Sequence, residues 1–216
     1  MKNVSIDIVS DVVCPWCIVG YKKLQQALLM LDEVNATVNF HPFELNPNMP
    51  KEGQNLREHI MEKYGASEAQ SQQTREQLTD IGASLGFTFD YFDDMKMVNT
   101  FNAHQVLHLA SLKDKKEALK LRLFAAFFSE RKDISDAKVL VEEAVSIGLE
   151  KNEVELALAQ QTYAEEVRMQ DQLWMQRGIQ SVPTFVIGNQ GIAGAQSPET
   201  LAQFIREAMQ QQGSGE

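Results

Sequence analysis

The chain has 216 residues, long enough for one large domain or for a domain carrying an insert. With 44% hydrophobic and 23% charged residues it reads as an ordinary soluble globular protein, which excludes a disordered or fibrous chain. A net charge of -10 and a pI near 4.9 give a surface that repels phosphate backbones and anionic lipid, so neither nucleic acid nor membrane is expected as a partner.

In chain order, Val4, Ile6 and Ile8 alternate with Ser5, Asp7 and Val9, which predicts a strand with at least one buried face. The opening segment "MKNVSIDIVSDVV" has no continuous apolar stretch followed by a small-residue cleavage site, and no later run is long enough to span a bilayer; the expected location is the cytoplasm. Both cysteines of the chain, Cys14 and Cys17, follow at once in "CPWC". After them Cys17, Tyr21, Leu24, Leu28 and Leu31 recur at steps of four and three, the spacing of one helix face. Pro15 suits the first turn of that helix, where a missing N–H costs little. "TVNFHP", Thr37 to Pro42, predicts a second strand.

From Pro47 to Gly178 the pattern is helical throughout, with strong helix formers and stops at Gly65, Gly86, Gly148 and Gly178. "VPTFVIG" then predicts a short strand, and "GIAG" a second one joined to it by a turn at "GNQG". Ser197 can cap a last helix starting at Pro198, and "GSGE" reads as a frayed end. A helical block between β elements of one sheet reads as an insertion. The expected α/β organisation is therefore a discontinuous domain of residues 1–46 and 176–216, with an all-helical domain of residues 47–175 inserted after the second strand.

Two thiols three positions apart admit three uses: a redox pair, half of a metal site, or a structural crosslink. A crosslink used only as a staple does not persist in a reducing cytosol, and a core of this size needs none. A structural zinc site wants four ligands, and there is no third cysteine. His104 and His108 in "HQVLH" have ligand spacing, but Gln105 stands where a zincin motif has glutamate; they read better as packing on a helix, and no metal is expected. The redox use fits the strand-to-helix setting. At a helix N-terminus Cys14 would face unpaired N–H groups and the positive end of the dipole, which favours its thiolate form. Cys14 is then the exposed attacking sulfur, and Cys17, one turn further in and more buried, resolves the mixed disulfide.

Pro15 and Trp16 stiffen the turn and limit its donors; Trp16 either contacts substrate or fills the turn. Asp11 could influence the thiolate or serve as a solvated residue or helix-entry acceptor. Phe124, Phe127 and Phe128 read as helical core, with a substrate groove as the alternative. In "SVPTF", Pro183 either simply starts a strand or forms a cis bond with Val182 that turns backbone polar groups toward Cys14.

Taken together, "SDVVCPWC", "PFELNP", "NTFNAH", "FAAFFSE", "GIQSVPTFVI" and "GAQ" resemble the DsbA-like thioredoxin family, and within it the FrnE-type cytoplasmic oxidoreductases. The resemblance runs over nearly the whole chain, in order. It implies a thioredoxin fold with a helical insert, Cys14 as nucleophile, Cys17 as resolving thiol and Pro183 as a cis proline facing them. Pro15, Trp16, Val182 and Pro183 become the expected substrate-binding residues. It further implies thiol or disulfide substrates, protein or small molecule, no tightly bound cofactor, and glutathione as a candidate redox partner. Glutathione-dependent isomerases and transferases of the 2-hydroxychromene-2-carboxylate and kappa types are similar, but typically have serine where Cys14 stands. A peptide-binding or chaperone-like module is the non-enzymatic alternative.

Overall fold

The computed structural model describes residues 2–213. Its residues divide into two compact units, Met1–Leu45 with Met169–Glu216, and Asn46–Arg168.

The first unit is built on a four-stranded sheet. Strands β1 (Lys2–Ser10) and β2 (Val34–Pro42) run parallel, joined by helix α1 (Pro15–Leu29). The other pair, β5 (Thr184–Ile187) and β6 (Gln190–Ala193), forms a hairpin, and β5 lies antiparallel to β1, giving the order β2-β1-β5-β6. Helix α9 (Pro198–Gly213) closes the unit and packs on α1. The "GSGE" end expected to fray lies, past Gly213, outside the described residues.

The alternation in β1 assigns its faces. Val4, Ile6 and Ile8 are buried, and Ile8 pairs with Phe185. On the opposite face, Asn3 and Ser5 bond Asn35 and Asn39 side chains; toward the C-terminal end the same face becomes apolar, and Val9, Phe43, Val186 and Trp174 form a cluster. Trp174 belongs to α8 (Ala164–Gln176). The second crossing between units therefore falls inside this helix, at Arg168–Met169, ahead of the 175–176 boundary that the sequence suggests. A run of helix formers does not disclose that one of its residues serves the core of a sheet.

Asp7 sits on that mixed face, with His41 Nε2 2.9 Å and Asn39 Nδ2 3.3 Å from its Oδ1. Burial pushes the Asp7 carboxyl up, but bonds from His41 and Asn39 and the charges of His41 and Arg177 outweigh it, leaving it below the ordinary value of 3.8. A folded-state value below the unfolded one contributes stability above the usual aspartate range, lost as pH falls through the folded value. Replacing His41 with alanine should raise the Asp7 midpoint in a carbon-13 titration and start acid unfolding at higher pH; coincident curves would contradict the coupling.

The second unit carries α2 (Leu56–Tyr64), α3 (Glu68–Ser84), α4 (Phe101–Ser111), α5 (Lys116–Phe128), α6 (Ala137–Ser146) and α7 (Lys151–Gln160). It is not all-helical, as the sequence suggests: β3 (Gln54–Asn55) pairs antiparallel with β4 (Lys96–Met97). Two residues a side are too few to leave an alternation in the sequence. Phe128 lies at the centre of an aromatic cluster, with ring centroids 4.8 Å from Phe127 and 5.1 Å from Phe89. Phe124 and Phe128 are core, as expected, while Phe127 also lines a cavity of about 250 Å³ with Phe92, Met95 and Val98.

Candidate active site

The turn from β1 into α1 brings the chemistry-bearing residues together. After Ser10 the chain turns through Val12 and Val13, and the Cys14 N–H donates to the Asp11 carbonyl at 3.3 Å. Cys14 is the N-cap of α1, in extended conformation, and Pro15 occupies the first turn, where its fixed φ and missing N–H are tolerated. Cys17 lies in the first turn of the helix, its N–H donating to the Cys14 carbonyl at 3.0 Å. The two cysteines are not joined in a disulfide.

One expectation is corrected here. Cys14 was expected to be exposed, yet it is 4% accessible and Cys17 is 2% accessible. The cause is the segment ahead of β5: the Cys14 S–H donates to the Val182 carbonyl at 3.7 Å, so the sulfur is turned to backbone and not to solvent. Trp16, 37% accessible, is the part of the motif that meets water.

The Val182 carbonyl stands beside Cys14, and the Val182–Pro183 peptide bond is cis. Their placement is held from several sides. The Pro183 carbonyl accepts the Gly194 N–H at 2.7 Å, and the Thr184 hydroxyl donates to the Ser181 carbonyl at 2.7 Å. Val182 packs on the cluster of Val9, Phe43, Trp174 and Val186. On the α1 side, a Cβ at Gly20 would come within 3.0 Å of Pro183 Cγ and 3.1 Å of Phe185 Cζ. Gly20 therefore sets how closely the helix bearing the cysteines approaches Pro183. Lys23, one turn on, donates to the Ala195 carbonyl at 3.0 Å and ties α1 to the "GAQ" turn. Neither Gly20 nor Lys23 stood out in the sequence; the available signal was a glycine on the apolar side of a helix, three residues after Cys17.

Asp11 is not solvated; it is the helix-entry acceptor of the two alternatives, although Cys14 and not Asp11 is the N-cap. It is 0% accessible, its Oδ1 accepts the Val12 N–H at 2.8 Å and its Oδ2 the Leu45 N–H at 2.8 Å. It thereby fastens the Cys14 turn to the segment leaving β2. His104 and His108 belong to the second unit: His104 is buried on α4, and the His108 ring meets Tyr163 at 4.9 Å. Among the described residues no group of three or more His, Cys, Asp or Glu side chains could hold a metal ion, and no helix is long and apolar enough to cross a membrane.

Comparison with known proteins agrees with this geometry. The model of the DSBA-like thioredoxin domain matches residues 5–206. YwbO of Bacillus subtilis (strain 168) is 27% identical over 206 residues, spanning 95% of this chain and 97% of that protein. The crystal structure of the probable DsbA oxidoreductase SCO1869 from Streptomyces coelicolor superposes with a TM-score of 0.88 at 33% identity, covering 95% of this chain and 90% of that one. The cytosolic disulfide reductase DsbM from Pseudomonas aeruginosa shares the fold at a TM-score of 0.61 and 17% identity, over 96% of this chain and 99% of that one.

Proposed function

Because this chain belongs to the DSBA-like thioredoxin domain family, we propose that it is an enzyme, a thiol–disulfide oxidoreductase of the FrnE-type branch working in the cytoplasm. The observation that carries the reading is the pairing of Cys14, at the tip of α1 with its Sγ 3.7 Å from the Val182 carbonyl, with Cys17 one turn further in. As a thiolate, Cys14 attacks one sulfur of a substrate disulfide and the other sulfur leaves as a thiol. Cys17 then attacks Cys14 Sγ, releasing the second substrate thiol and leaving a Cys14–Cys17 disulfide. When Sγ turns away to meet a disulfide, the Val182 carbonyl loses its donor and is free to accept an N–H of an extended substrate; Trp16 and Pro15 flank the entry. Glutathione is the proposed redox partner, exchanging with the pair in solution and not bound as a cofactor.

The test is to stop the cycle halfway. Cys17→Ser retains the attacking sulfur and lacks the resolving one, so incubation with a disulfide substrate should accumulate a mixed disulfide at Cys14, seen as a dithiothreitol-sensitive mass adduct. An adduct absent from Cys17→Ser, or equally abundant in Cys14→Ser, would defeat the assignment of roles.

A further inference from the structure

Edge strands in soluble proteins are usually guarded, because their outer N–H and C=O groups can pair with another chain; shortness, a bulge, a proline or a charged side chain does the guarding. The two edges of this sheet differ in that respect. β6 is four residues long and runs into the turn at Gly194. β2 is nine residues long, pairs with β1 in unbroken register from end to end, and has no other strand of the described residues on its outer side. It carries no lysine, arginine, aspartate or glutamate, and its one proline is its last residue. In a chain of net charge -10, that makes it a place where two copies can meet with little repulsion. Asn35 and Thr37 are exposed, while Val34, Ala36 and Val38 are half-buried. The turn leading into the strand follows further apolar surface. Leu29, at the end of α1, is the most exposed of the large apolar side chains described, and Met30 beside it is also exposed.

We propose that this edge is a homodimer interface, with β2 of one copy pairing antiparallel with β2 of a second copy about a twofold axis at Thr37. The strand matches itself about that point. Centring on Thr37 sets Asn35 opposite Asn39 of the second copy, Ala36 opposite Val38, Val34 opposite Phe40, and Thr37 opposite itself. Odd-numbered positions share the face of Asn3, Ser5 and Asp7, and even-numbered ones the face of Ile6 and Ile8. Polar residues therefore meet polar ones on one face, and apolar residues meet apolar ones on the other. Glu33, whose carbonyl accepts the Lys2 N–H at 2.7 Å, comes opposite His41, an acid facing an imidazole. A slip of one position would set Val34 against Asn39 and Ala36 against Thr37, turning the core face of one copy to the polar side of the other. This self-match favours a second copy over an unrelated strand. The product is one continuous eight-stranded sheet, four strands from each copy, with the same patch used on both sides.

Sedimentation equilibrium of the full chain over a concentration series tests this. Wild type should show twice the chain mass at micromolar concentration. Thr37→Lys places two like charges at the axis and should weaken the dimer by at least about tenfold. Thr37→Val keeps an uncharged β-branched residue there and should remain dimeric. Thr37 is exposed, so neither change reaches the core. If Thr37→Lys does not fold, hydrogen exchange of the wild type decides: the β2 amides that β1 does not bond should gain protection as concentration rises. A wild type that stays a single chain up to about 100 μM would overturn the inference. So would a dimer equally tight, within twofold, in Thr37→Lys, or β2 amides whose exchange ignores concentration. An extended peptide found to occupy β2 of a chain that remains monomeric would overturn it as well.

Discussion

Cys14→Ser should lose at least about a thousandfold of the wild-type rate in a protein-disulfide reduction assay, because the whole cycle depends on one nucleophile. A serine hydroxyl does not ionise near neutral pH and cannot form a mixed disulfide. The loss should leave the fold intact, since serine fits the N-cap position of α1 better than cysteine does, and Cys14 makes no side-chain cap bond there. Thermal melting close to wild type, alongside lost turnover, is the expected pair of results. Turnover retained by Cys14→Ser would show that the sulfur at the helix tip is not the attacking group.

The largest stability effect is expected at Trp174. It is 3% accessible and packs with Val9, Phe43 and Val186 on the face of the sheet away from α1. Its ring lies 4.6 Å from the His41 ring and 4.6 Å from the Arg177 guanidinium carbon. Truncation to alanine removes the largest member of that cluster and opens a cavity between strand and helix, a change that costs about 3–5 kcal/mol in comparable cores. Val182 rests on the same cluster, so the loss should also loosen the carbonyl facing Cys14. Urea unfolding measures the first effect. A cost below about 1 kcal/mol would mean that the cavity collapses or that the ring is not packed as described. Trp174→Phe, which keeps an aromatic ring, should recover most of the stability.

Much of this architecture was legible in the sequence, for identifiable reasons. β1 alternates clearly from Val4 to Ile8, where one face meets the core, and α1 keeps Tyr21 and Leu24 on its buried side although Cys17 to Tyr21 are buried without a break. The Gly65 stop coincides with the end of α2, where the residue has φ 63°. Other breaks left no such mark. One helical stretch is interrupted at 112–115, where Asp114 has φ 56°, and another at Gln161, where φ is 53°. Neither residue is a glycine or proline; the charged run "DKKE", Asp114 to Glu117, reads as a solvated face or turn, whereas at Gln161 composition gave no warning of two helices in place of one. β2 begins at Val34, three positions ahead of the expected Thr37; Val34 to Thr37 alternate between partly buried and exposed, but none is fully buried and the pattern is weak.

At the site, the pair of cysteines stood out by its spacing at a strand-to-helix junction, while Val182 and Pro183 were expected beside it from the family resemblance. The burial of Cys14 was not. It arises from a residue 168 positions away, and no local pattern reports a contact of that range. The full burial of Asp11 was hidden for the same reason: its role as an acceptor at the helix entry is local, but the Leu45 N–H that it also binds lies on another segment.

The reading as a whole requires Cys14 and Cys17 to join reversibly within one chain. Quantitative alkylation with mass spectrometry, after oxidation by excess glutathione disulfide and again after reduction, tests this most directly. The account predicts an oxidised form two hydrogen atoms lighter and not linked between chains, with neither cysteine labelled and a Cys14–Cys17 crosslink in the digest, reverting fully to two labelled thiols. Two cysteines that remain alkylatable after oxidation, or that bond only between different chains, would contradict it.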